Sequence, residues 1–115
     1  MALRNIEEVA AALRAFAAER DWDQFHTPRN LATAMSVEAA EVLEHFQWLT
    51  DEQGRALDAA KTEEVALELA DVFLYLVRLS DRLGVDLLRA AERKMAINAR
   101  NYPVELTRGG IRKAP

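Results

Sequence analysis

Glu38-Ala39-Ala40-Glu41 and Glu68-Leu69-Ala70-Asp71 carry the same spacing of acids, and the rest of the chain is read from them. An i, i+3 pair on a helix leans from adjacent turns toward one side. At 100° per residue, Leu31, Met35, Val42 and Leu49 form one apolar stripe, with Glu38 in its middle and Glu41 on its flank. Glu44 points the other way. Glu68 falls in the same manner among Val65, Val72, Tyr75 and Leu79, with Asp71 beside it. A carboxylate on a core-facing stripe is costly unless it is protonated, paired with a cation or bound to metal. Four that converge also repel one another, so a divalent ion is the simplest remedy. Glu7, Glu8, Glu52, Glu63 and Glu64 fall instead on ordinary solvated faces.

Outward from these acids the chain reads as helices. Asn5 is an N-capping residue followed by Glu7 and Glu8, and Ile6, Val9, Leu13 and Phe16 give the first helix an apolar face to about Arg20 or Asp21. Asp21 to His26 is expected to be a loop with two large aromatics. Thr27-Pro28 is a cap with proline at the first helical position, so a second helix runs from there to about Gln47. Thr50 to Gln53 starts a short helix, and Lys61-Thr62 opens the third long one, which stops at Gly84. The fourth follows Asp86 and reaches about Asn101, with Pro103 as a stop. The expected fold is all-α: a four-helix, mostly antiparallel bundle. Its helical domain would span residues 1–103, with a mobile basic tail over 104–115.

The third helix is apolar almost all round between Leu67 and Leu79, since Phe73, Leu74 and Val77 lie off the acid face. Such a helix is buried on more than one side, and a second subunit is the expected cover. Homo-oligomerisation is the expectation, and the sequence does not choose between dimer and tetramer.

The chain has 115 residues, half of them hydrophobic, with four Gly, three Pro and no Cys. That bounds one helical domain with a modest core and no disulfide or thiolate metal site. A net charge of −4 argues against nucleic-acid binding by phosphate neutralisation. No apolar run is long enough to span a membrane, and no signal-peptide core opens the chain. A cytoplasmic protein is expected.

Oxygen-only ligation favours Mg²⁺ or Mn²⁺ over zinc. A di-iron bundle needs Glu-x-x-His, yet His45 is preceded at that spacing by Val42 and His26 by Asp23. There is no glycine-rich phosphate loop, so any bound phosphates would be held through metal and a few cations.

Glu38-x-x-Glu41 followed by Glu68-x-x-Asp71 resembles the signature of the all-α, MazG-like nucleoside triphosphate pyrophosphohydrolases. Glu19 to His26, Pro28-Arg29-Asn30-Leu31, Phe46-Gln47-Trp48 and the stretch from Lys94 to Pro103 are similar to its dCTP pyrophosphatase branch. The resemblance covers the chain from the first helix to Pro103. It implies a Mg²⁺-dependent hydrolase that converts a nucleoside triphosphate, dCTP or a modified dCTP in the first instance, to the monophosphate and pyrophosphate. By the same resemblance Glu38, Glu41, Glu68 and Asp71 bind metal, and Trp22, Trp48 and Tyr75 enclose the base. Asn98 would hydrogen-bond to the base, Lys94 would sit near the phosphates and His26 near the nucleotide. Leu13 departs from the branch, which carries histidine there, and this bears on base selectivity.

A second class of function is compatible with the residues. A catalytically silent helical module could keep its carboxylates as a polar or ion-bound core. The two tryptophans could then cover bundle ends, His26 could cap a helix, and Lys94 could pair with Glu68 or Asp71.

Overall fold

The computed structural model describes residues 1–115 and contains helices and no strands. The elements are α1 (Ile6–Glu19), α2 (Pro28–Glu44), α3 (Asp51–Arg55), α4 (Ala59–Leu83), α5 (Leu87–Asn101) and α6 (Val104–Thr107). They divide into two compact units, Met1–Gly84 and Val85–Pro115. No helix is long and apolar enough to cross a membrane.

Side-chain caps set most boundaries in the first unit. Asn5 accepts from the Glu8 amide at 2.8 Å, and Thr27 accepts from the Asn30 amide at 3.2 Å with Pro28 opening α2. In α3 Thr50 and Gln53 form a reciprocal capping box, at 3.1 and 2.9 Å. The start of α4 lies earlier than the Lys61-Thr62 expected from the sequence, because Asp58 accepts from the Lys61 amide at 2.8 Å and caps at Ala59. At its other end Gly84, at φ 68°, supplies the left-handed residue that ends the helix. The regular part of α2 stops at Glu44 rather than near Gln47; His45 to Trp48 continue as turns.

α4 is the spine of the first unit, with α2 and α1 packed against it. His45, beyond the end of α2, lies beside Glu64, while His26, before its start, lies against Arg78 and Arg82. The two helices therefore run antiparallel. The core is thin: Val9, Ala10 and Val77 form its centre, with Ile6, Leu13 and Leu74 packed around them. Ala17, Leu31 and Val65 are also buried. Against this small core, Val37 and Leu43 on α2 and Leu67, Leu69 and Phe73 on α4 are all at least 40% exposed.

In the second unit Asp86 accepts from the Arg89 amide at 3.1 Å and caps α5, as expected. Tyr102 ends that helix and Pro103 precedes α6, a single turn formed within the stretch expected to be a basic tail.

Candidate active site

Leu31 is 1% exposed and lies seven residues before Glu38, so anchoring α2 through Leu31 turns Glu38 inward. Val65, buried three residues before Glu68, does the same on α4. One carboxylate oxygen from each of Glu38, Glu41 and Glu68 lies within 4.8 Å of the other two. All three residues are half-buried. Glu38 Oε2 and Glu68 Oε2 are shut off from solvent and have no hydrogen-bond partner.

That arrangement disfavours ionisation. Burial first, and the adjoining Glu41 second, push the Glu38 carboxyl up to about 7. Glu68 is raised as well, first by its contact with Glu41 and then by burial. Within Met1–Gly84 no lysine or arginine pairs with any of the three. His45 can supply a positive charge nearby when protonated: its Nε2 is 3.8 Å from Glu68 Oε1 and its Nδ1 is 4.0 Å from Glu64 Oε2. Donors limited to carboxylate oxygens, two of them buried and orphaned, fit a hard divalent cation.

Asp71 stands outside this trio and is exposed, yet its negative charge contributes to raising both Glu38 and Glu68. It also lines a cavity of about 160 Å³ on the α1 side of α4. Leu13, Phe16, Trp22, His26 and Tyr75 form most of the remaining wall, which is chiefly apolar and aromatic. A tight turn brings Trp22 there. Asp21 adopts φ 53°, a left-handed conformation tolerated by aspartate, and the side-chain Nε2 of Gln24 donates to both its carbonyl and its carboxylate. The chain doubles back so that the Trp22 amide donates to the Ala17 carbonyl at 2.9 Å. The Trp22 ring then meets Phe16 edge to face, with centroids 5.7 Å apart.

Of the residues singled out in the sequence, Glu38, Glu41 and Glu68 come together, and Asp71, Trp22, His26 and Tyr75 share the cavity. Trp48 does not line it; it is 87% exposed beyond the end of α2. Lys94 and Asn98 are exposed, one turn apart on α5 in the second unit. Two residues with a place here were not singled out. His45 lies four residues after Glu41 on the acid stripe, a signal open to reading. Arg78 lines the cavity and is buried, and nothing in its neighbours along the chain announces that.

The profile of the MazG-like family matches residues 33–111. The chain is 46% identical over 111 residues to dCTP pyrophosphatase 1 of Homo sapiens, an alignment covering 95% of this chain and 65% of that protein. The Mus musculus protein of the same name is 44% identical over the same length. The chain thus spans less than two thirds of the length of either relative. The crystal structure of a pyrophosphatase from Archaeoglobus fulgidus superposes with a TM-score of 0.82 at 38% identity, covering 90% of this chain and 96% of that one.

Proposed function

Since the chain belongs to the MazG-like family, we propose that it hydrolyses a (deoxy)nucleoside triphosphate, with dCTP or a base-modified dCTP first in line, to the monophosphate and pyrophosphate. The observation that carries this reading is the position of Asp71, which lines the aromatic cavity while its charge acts on the buried acids. A ligand with a flat base at one end and phosphates at the other matches that juxtaposition. The similarity to a dCTP pyrophosphatase and to a pyrophosphatase of known structure supports the same chemistry.

Glu38, Glu41 and Glu68, with Asp71 at the edge, are the residues to hold the ion, Mg²⁺ with Mn²⁺ as a substitute. When bound, such an ion neutralises triphosphate oxygens and lowers the pKa of a coordinated water. Trp22 and Tyr75 enclose the base in the half-open cavity, and stacking there is tolerant of base identity. Selection therefore falls to polar groups, His26 in the cavity and Asn98 on α5. Lys94 is the cation assigned to the phosphates. In the net reaction water adds across the α–β anhydride, and one acid of the site accepts its proton.

The exposed apolar residues of α2 and α4 are covered, on this reading, by further copies of the chain, in a homodimer or homotetramer. Trp48, outside its own chain's cavity, would join the base site through that assembly. A nucleotide substrate and a small acidic chain suit a cytoplasmic place in cleansing the nucleotide pool.

The test is pyrophosphate release from a panel of dNTPs, NTPs and base-modified dCTPs with Mg²⁺, and with a chelator as control. Release of pyrophosphate from dCTP or a modified dCTP, abolished by chelation, supports the reading. No pyrophosphate from any member overturns it.

A further inference from the structure

Arg78 is the one buried charged residue of the chain, 4% exposed near the C-terminal end of α4. It reaches none of the acids of the proposed ion site. Its Nη2 donates to Asp23 Oδ1 at 2.7 Å, and its Nε donates to His26 Nδ1 at 3.1 Å. Asp81 Oδ2 approaches Nη1 at 3.8 Å and is itself held by Arg14. The backbone at His26 is fixed too, since Arg82 Nε donates to its carbonyl at 3.1 Å.

A guanidinium has donors and no acceptor. His26 Nδ1, facing Arg78 Nε, is therefore the acceptor and carries no hydrogen. The single hydrogen of the neutral ring must then sit on Nε2. The neutral form is the one this setting favours: burial, and next the charge of Arg78, lower the His26 pKa. Nε2 makes no hydrogen bond within the protein, whereas the ring lines the cavity with Trp22 and Tyr75.

We propose that Arg78 is a positioning residue that locks His26 as the Nε2–H tautomer and thereby makes it a fixed hydrogen-bond donor into the aromatic cavity. The base taken there presents an acceptor to that donor, a carbonyl oxygen or an unprotonated ring nitrogen as on the pyrimidine edge. This rests on the cavity being the base site of the reaction proposed above. Unlike stacking, a donor of fixed direction discriminates between bases, because one that offers a donor in return leaves both groups unpaired.

Two measurements test it. The chain has two histidines, so long-range ¹H–¹⁵N spectra of ¹⁵N-histidine-labelled protein, assigned with His26→Gln, report the tautomer directly and without reference to activity. The wild type is expected to show Nε2–H at His26, and Arg78→Met to lose that single pattern. Steady-state turnover of dCTP is the second measurement, in the wild type, Arg78→Met, His26→Gln and the double variant. Arg78→Met is expected to raise KM about fivefold to tenfold, the weight of one hydrogen bond, well beyond any change in kcat. Glutamine donates from its amide without a tautomer to choose, so in the His26→Gln background Arg78→Met should leave KM within about twofold.

An Nδ1–H or doubly protonated His26 in the wild type overturns the proposal. So does an altered tautomer without a change in KM, or an equal effect of Arg78→Met in both backgrounds, which would mark a merely structural arginine. If Arg78→Met does not fold, Asp23→Asn at the exposed end of the same chain of hydrogen bonds takes its place, with the same outcomes expected in weaker form. If no triphosphate is turned over, the reaction fails, and the spectra alone still decide whether Arg78 sets the tautomer.

Discussion

Glu38 and Glu68 come from helices that run in opposite directions, and each ends in a carboxylate oxygen hidden from solvent without a partner, with Glu41 close to both. Two like charges so placed destabilise the protein unless a proton or a cation intervenes. This relationship makes the site's stability and its proposed chemistry separable by experiment.

Glu38→Gln should lower pyrophosphate release on the order of 100-fold or more, the loss expected when part of a metal's support is removed. In chelator at pH 8 the same variant should melt about 2–5 °C higher than the wild type, because a repelling charge is gone. Thermal melts and turnover on one preparation check both. A variant that is less stable without metal argues that Glu38 is held by something other than repelling acids.

The pH dependence of stability follows from the raised Glu38 carboxyl, about 7 when folded against the 4.5 of an ordinary glutamate side chain in the unfolded protein. Between those values the folded state holds more protons than the unfolded one. The Glu38 contribution is therefore full below about pH 4.5 and lost as pH rises through 7. His26 works oppositely, since its lowered pKa makes the folded state gain as pH rises toward 6.5. The informative quantity is the difference between wild type and Glu38→Gln in chelator: the wild type should lose ground steadily from pH 5 to pH 8. Excess Mg²⁺ should flatten that difference, as binding to the folded state offsets it.

Leu13 lines the cavity and also packs on the core cluster of Val9, Ala10 and Val77. By the resemblance read from the sequence, it stands where the dCTP branch carries histidine. Leu13→His should raise the preference for dCTP over dTTP by about threefold to tenfold in kcat/KM, the range for one polar contact. It should also cost about 1–2 kcal/mol in stability, since a polar ring replaces a packed apolar chain. Equal effects on both nucleotides would show that this wall does not read the base.

Trp22→Ala removes the ring stacked edge to face on Phe16. KM for dCTP should rise at least fivefold, from about 1–3 kcal/mol of lost stacking. A fall in kcat with KM intact would place Trp22 outside the base site.

Light scattering at micromolar concentration should give a mass above one chain, and the melting temperature should rise with protein concentration. Leu69→Glu, at a residue 53% exposed on α4 in the isolated chain, should dissociate the assembly. A single-chain mass for the wild type would leave the apolar faces without the cover assigned to them.

Much of this architecture was legible from local chemistry. The caps at Asn5, Thr27 and Asp86 and the glycine stop at Gly84 appear where their side chains and backbone freedom put them. The inward turn of Glu38 and Glu68 was legible from their stripes. The start of α4 was less so, because Asp58 caps it from within a stretch that otherwise reads as connector. The absence of Glu-x-x-His speaks only against a di-iron bundle and says nothing of the place of His45, whose neighbours Glu64 and Glu68 lie on another helix. Arg78 was invisible for a related reason. An arginine in an apolar run gives no sign that its partners, Asp23 and His26, lie more than 50 residues back along the chain.

The uninterrupted run of α4 from Ala59 to Leu83 carries Glu68, Asp71, Tyr75 and Arg78 on one rod. Gaining or losing a single residue within it would swing everything downstream by about 100° and scatter these groups together. On α1 and at the turn at Asp21, by contrast, Leu13, Phe16 and Trp22 can be exchanged, reshaping the cavity wall while the acids keep their alignment. Length in this rod is frozen; the wall facing it is free to vary.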